Sequence, residues 1–127
     1  MYTHTPALDN LGNVYYWSQM NGITSRVLAS GAVRWRGPAM AAALRCSSIT
    51  IDTAAVPVTV YASAVATVYA VDAGTGAQLW SMDTSAYGAA MPPVPLLYAN
   101  YMYIATIGGG GGGHIIAIDR CAPRVLT

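Results

Sequence analysis

The chain repeats itself, and the length of the repeat decides most of what it can become. Gly31-Ala32-Val33-Arg34-Trp35 returns 45 positions later as Gly76-Ala77-Gln78-Leu79-Trp80. A second register runs through Val14-Tyr15, Val60-Tyr61 and Met102-Tyr103, spaced by 46 and 42 positions. A third joins Ala70-Val71-Asp72 to Ala117-Ile118-Asp119 at a spacing of 47. Three markers in different parts of the unit therefore share one period. A period of this length belongs to folds built from one supersecondary block per repeat, each block relying on its neighbours to cover its faces.

Within each period, alternation and β-branched or aromatic residues point to strands. The middle repeat reads as strands near 48–52, 57–63, 67–72 and 77–82, joined by short turns at 53–55, 64–66 and 73–76. The first repeat gives 5–9, 13–19, 23–28 and 32–36, and the third gives 94–99, 101–107 and 114–119. In the third repeat Arg120-Cys121-Ala122-Pro123 stands where a Thr-Gly turn and a Trp strand should follow, so its fourth strand reads as missing or degenerate. Residues 39–44 are the one short helical candidate. Four antiparallel strands per period predict an all-β chain, a partial β-propeller of about three blades. The blades fall at about 3–37, 46–84 and 92–120, the last truncated, in a single segment spanning 1–127.

Composition agrees with stacked sheets. Hydrophobic residues make up 54% and charged residues only 9%, against roughly 25% charge in an ordinary soluble domain. So apolar a composition implies surface hidden against neighbouring sheets, and at the open flanks against another copy, a protein partner or a missing part of the chain's own fold. Six arginines and five aspartates are scattered, which gives no basic stripe and argues against nucleic acid. Two charge-free stretches, 53–71 and 84–113, are long enough for a membrane helix. Polar residues interrupt the first, and prolines and a glycine run interrupt the second, so both read as strands. No basic-then-apolar leader opens the sequence as given.

At Ala70-Val71-Asp72-Ala73-Gly74-Thr75-Gly76-Ala77-Gln78-Leu79-Trp80 the chain resembles the PQQ-like repeat. That repeat occurs in quinoprotein alcohol dehydrogenases and in outer-membrane assembly lipoproteins of the BamB type. Its pattern is Ala-x-Asp-x-x-Thr-Gly-x-x-x-Trp, and every fixed position is present here. The first repeat keeps Gly31 and Trp35 of the pattern, and the third keeps Ala117 and Asp119. The resemblance implies a structural docking motif made of Ala70, Asp72, Thr75, Gly76 and Trp80, with Gly31, Trp35, Ala117 and Asp119 as its partial copies. Trp80 would then be buried between blades two and three and Trp35 between blades one and two, whereas Trp17 lacks the motif and need not sit at a seam. The family is often extracytoplasmic.

The same resemblance raises two functions. One is a non-catalytic scaffold or protein-binding module. The other is a fragment of a PQQ-dependent dehydrogenase, with PQQ and calcium held elsewhere. The sequence offers the second little: it has no Glu for a metal ligand set, and Cys46 and Cys121 are not adjacent. Those two cysteines read as buried thiols or a disulfide. No carboxylate pair is marked for acid–base work, and His4 and His114 are too few for a metal. The glycine run 108–113 lacks the Lys-Ser/Thr ending of a phosphate loop and reads as a hairpin connection. The reading is therefore of no catalytic, cofactor or metal site. The tyrosines at 15, 16, 98, 101 and 103, with Trp17, read as inter-blade packing.

Overall fold

A computed structural model describes residues 5–18, 22–37, 49–64, 66–88, 95–107 and 112–126. Among the described residues twelve strands form three separate four-stranded sheets, each antiparallel and ordered as the chain runs. The first sheet comprises β1 (Ala7–Leu8), β2 (Asn13–Ser18), β3 (Gly22–Val27) and β4 (Val33–Arg36). The second comprises β5 (Thr50–Asp52), β6 (Thr59–Ala64), β7 (Thr67–Asp72) and β8 (Gln78–Asp83). The third comprises β9 (Leu96–Tyr98), β10 (Tyr101–Ile107), β11 (Gly113–Asp119) and β12 (Arg124–Leu126). A single 3-10 turn at Ser85–Tyr87 is the only helical element among the described residues. The short helical candidate at 39–44, Cys46, His4 and most of the glycine run lie outside the described residues.

The fourth strand of the third sheet corrects the truncated reading. β12 pairs with β11 through Leu126–Ala117, Val125–Ile118 and Arg124–Asp119. It escaped notice because it is three residues long and carries Leu126 where the other two sheets carry Trp35 and Trp80. The difference extends to backbone geometry. In the first two sheets a β-bulge interrupts the last ladder, between Ser25 and Arg26 and between Ala70 and Val71. The extra residues are Arg34 and Leu79, each immediately before the tryptophan. A bulge adds twist and re-aims the side chains beside it; the β11–β12 ladder has none.

The second sheet is buried on both faces, which its sequence anticipates by placing apolar residues at consecutive positions. β6 is buried along its whole length. Val60, Ala62, Val71 and Ala73 join Tyr15, Ile23 and Trp35 of the first sheet in one core. Tyr61, Val68 and Ala70 join Met102, Ile104, Ile116 and Ile118 of the third sheet in another. Period-two alternation sends odd and even residues of one strand into different cores. The two seams between sheets, and not a single interior, are where this chain hides its apolar surface.

Candidate functional site: the seams between blades

Each seam is built on a turn. Between β7 and β8, Asp72 donates its N–H to the Ala77 carbonyl and Gly76 donates to the Asp72 carbonyl, both at 2.8 Å. Asp72 Oδ1 accepts the N–H groups of Gly74 at 2.7 Å and Thr75 at 3.3 Å. Thr75 Oγ1 accepts the Ala77 N–H at 3.3 Å. Gly76 has φ +79°, a conformation that costs glycine nothing and other residues a penalty. The first sheet repeats this turn with other side chains: Val27 N–H to Ala32 at 2.9 Å, Gly31 N–H to Val27 at 2.8 Å, and Ser30 Oγ accepting from Ala32 at 3.2 Å. Ser30 thus stands in for Thr75, and Gly31 has φ +72°.

The turn of the second sheet receives the tryptophan of the first. A Cβ placed on Gly76 would come within 2.6 Å of Trp35 Cε3 and 2.7 Å of Cδ2, so only hydrogen fits beneath the indole. Trp35 Nε1 donates to the Ala73 carbonyl at 2.9 Å, and the ring is buried. Tyr15 packs beside it, with centroids 5.9 Å apart and planes tilted by 46°. The Tyr15 hydroxyl donates to Asp9 Oδ2 at 2.8 Å and accepts from Arg34 Nη1 at 3.3 Å. The same Arg34 nitrogen reaches Ser25 Oγ at 3.0 Å and the Ala73 carbonyl at 3.4 Å. Burial pushes the Asp9 carboxyl up, but hydrogen bonds from the Asn13 side chain and backbone, the Tyr15 hydroxyl and the Leu11 N–H outweigh it and hold the group at about 2.

The second seam repeats the aromatic pair and reverses the arginine. Tyr61 and Trp80 lie 6.0 Å apart at 49°. Here the cation comes from the following sheet: the Arg120 guanidinium sits 5.7 Å over the Tyr61 ring and pairs with Asp52 at 2.5 Å. Arg120 also donates to the Ala99 carbonyl. Burial raises the Asp52 carboxyl, while Arg120 and the Ala54 and Ala55 N–H groups bring it below its ordinary value. Trp80 packs on the second core but is only half-buried, and among the described residues no carbonyl receives its indole N–H as Ala73 receives that of Trp35. Pro123 occupies the position in the third sheet that Gly76 holds in the second.

The motif residues thus fall in three groups. Gly76 and Trp35 meet across the first seam. Ala70 and Trp80 are cross-strand partners within the second sheet, and Asp72 and Thr75 close their own turn. Gly31, Ala117 and Asp119 occupy the equivalent places in the outer sheets, where Asp119 Oδ1 accepts from Cys121 and Ala122. Trp17 also packs against the first core, although no motif marks it, with its Nε1 buried and without a partner among the described residues. Cys121, expected as a buried thiol or in a disulfide, is free and exposed on the turn after Asp119. Of the aromatics read as inter-blade packing, Tyr15 lies in a seam, whereas Tyr98, Tyr101 and Tyr103 are exposed; sequence reasoning missed Asp9, Arg34, Asp52, Tyr61 and Arg120 as seam residues. The recurring Val-Tyr or Met-Tyr pair marked Tyr61, and nothing in the sequence marked the charged residues.

Every acidic residue in the chain serves a turn. Asp9, Asp52, Asp72, Asp83 and Asp119 each accept the N–H two residues ahead, from Leu11, Ala54, Gly74, Ser85 and Cys121. Among the described residues no three His, Cys or Asp side chains cluster as metal ligands, and no helix is long and apolar enough to cross a membrane. Each seam opens to a cleft: one of about 330 Å³ beside Asp9, Tyr15 and Arg34, the other of about 480 Å³ beside Asp52, Tyr61 and Arg120.

This architecture is a partial β-propeller of three four-stranded blades, and solved structures share it. A europium-containing methanol dehydrogenase superposes over 98% of this chain with a TM-score of 0.72 and 18% identity. The quinohemoprotein alcohol dehydrogenase of Comamonas testosteroni covers 96% with a TM-score of 0.76 and 18% identity. BamB of Moraxella catarrhalis covers 91% with a TM-score of 0.69 and 19% identity. The chain spans 24%, 20% and 33% of those proteins' lengths. No protein-family model and no curated protein matches its sequence. What these structures share with the chain is the fold, stacked four-stranded propeller blades.

Proposed function

We propose that this chain is a non-catalytic propeller segment, a scaffold whose business is sheet-to-sheet and protein-to-protein contact. The observation that carries this reading is the employment of its carboxylates. All five accept backbone N–H groups within their own turns, and the two that face a seam also bind Tyr15 or Arg120. Asp9 and Asp52, each held at low pKa by several donors, are poor proton acceptors near neutral pH, and a carboxylate committed to turn amides is a poor metal ligand. In this reading Trp35 and Trp80 act as clamps between successive blades, with Gly76 as the seat of the first. The test is a titration of the chain with PQQ and calcium, followed by tryptophan fluorescence corrected for optical filtering. The scaffold reading expects no saturable change, and calcium-dependent quenching that saturates at micromolar PQQ would overturn it.

A further inference from the structure

Register makes the two seams comparable position by position. Tyr15, Ser25 and Trp35 form a cross-strand row in the first sheet, and Tyr61, Ala70 and Trp80 form the same row in the second. The third sheet aligns through Tyr103 and Ala117. Asp9 and Asp52 therefore hold one place, at the end of a blade's first strand. Arg34 and Leu79 hold a second, the bulge before the tryptophan. Ala73 and Arg120 hold a third, directly after the turn aspartates Asp72 and Asp119.

Each seam draws the first two places from one blade and the third from the blade that follows. All three line one cleft: Asp9, Arg34 and Ala73 at the first seam, Asp52, Leu79 and Arg120 at the second. Among the described residues each cleft holds one carboxylate and one guanidinium, but the guanidinium comes from opposite sides. Where the earlier blade brings arginine, the later one brings alanine; where the earlier brings leucine, the later brings arginine. Both arginines reach the same small space. Arg34 Nη1 approaches the Ala73 carbonyl at 3.4 Å and the Tyr15 hydroxyl at 3.3 Å, and Arg120 lies over Tyr61 and binds Asp52.

We propose that Arg34 and Arg120, with their reciprocal positions Ala73 and Leu79, determine which blade faces accept one another and so specify the order in which the blades stack. In any other order the charges fail to match. The first blade set against the third would put Arg34 and Arg120 in one cleft with Asp9 alone. The second blade set against another copy of itself would leave Asp52 facing Ala73 and Leu79, with no cation. Like charges in a partly desolvated space repel, and a carboxylate that loses its partner keeps its desolvation cost. Specificity comes from such penalties as much as from favourable contacts. The proposal goes beyond the scaffold reading and does not depend on it.

Substitutions in the full chain can install each mismatch in a native seam. Ala73→Arg reproduces the charges of the first blade against the third, and Arg34→Leu those of the second against itself. The double variant carries the second seam's own matched set. Urea unfolding is expected to place both single variants below the wild type. The double is expected to lose less than the sum of the two, by roughly 0.5 M in midpoint. Ala73→Met, with a long side chain and no charge, is expected to lose less than Ala73→Arg, which separates charge from bulk. If Ala73→Arg does not fold, the second seam supplies the comparison at Leu79, which is 44% exposed. There Leu79→Arg is expected to lower the midpoint, Leu79→Met to leave it, and Leu79→Arg with Arg120→Ala to lose less than the sum of its parts. Additive losses, or Met variants that lose as much as the Arg variants, would overturn the proposal. Either result would leave the scaffold reading untouched, since that rests on the turn carboxylates.

Discussion

Gly76 and Gly31 form a matched pair for measuring what the indole of Trp35 does. Their turns share the same backbone hydrogen bonds, and their φ angles are +79° and +72°. They differ in what lies above them. A Cβ at Gly31 would meet nothing within 4 Å, whereas one at Gly76 would collide with the Trp35 ring at 2.6 Å. Gly31→Ala therefore reports the conformational penalty alone, about 1–2 kcal/mol for an L-residue in a left-handed conformation. Gly76→Ala carries that penalty plus displacement of a packed indole. Overpacking adds about 1–3 kcal/mol, and drawing Trp35 Nε1 away from the Ala73 carbonyl adds about 1 kcal/mol more. The expected cost is roughly 3–6 kcal/mol, a large part of the ~5–15 kcal/mol that holds a domain together. Urea unfolding followed by far-UV circular dichroism reads both variants, and the same pair made in a Trp35→Ala background completes the comparison. There the excess at Gly76 is expected to vanish. Equal costs for the two glycine variants in the wild-type background would refute the packing of Trp35 on Gly76.

Three further outcomes follow from the same geometry. Trp35→Ala is expected to destabilise by about 3–5 kcal/mol, and Trp80→Ala by clearly less because that indole is half-buried and has no carbonyl partner among the described residues; the urea midpoints of the two variants check the order. Asp9 at about 2, and Asp52 below its ordinary value, lie under the pKa such groups have in an unfolded chain. Their ionised forms therefore favour folding at neutral pH, and that contribution is lost as pH falls from about 4 toward 2. Unfolding free energies measured across that range should decline, and Asp9→Asn should flatten the decline. Adding calcium with PQQ is expected to leave the thermal midpoint unmoved, as a shift that grows with PQQ concentration would mark a bound cofactor.

The repeat made the fold legible, because a period shared by three markers fixes the unit and alternation fixes the strands. Thr67–Asp72 is found where the alternation put it, and the first two sheets agree with their expected strands to within a few residues. The third sheet's last strand was hidden because Leu126 carries no signal that Trp80 would have carried, and pairing with β11 supplies what local sequence does not. The seams were only half legible. Gly76 and Trp80 announce themselves through spacing within one repeat, but the contact that forms is between Gly76 and Trp35, from different repeats. Arg34 reaches its seam from the extra position of a bulge, and Arg120 from a turn, two places that no periodicity marks. Arg26 stands where Val71 and Ile118 stand in the other two sheets, an equivalence that becomes visible only once the register is known.

Nuclear Overhauser spectroscopy on labelled protein tests the seam between the first two sheets most directly. The indole Hε3 of Trp35 and the α protons of Gly76 should show a strong cross-peak, with the Gly76 signals shifted upfield by the ring above them. Those of Gly31, under no ring, should keep ordinary shifts. Ordinary Gly76 shifts with no cross-peak to Trp35 would mean that the first two sheets do not meet as described, and the propeller account would fail at its first seam.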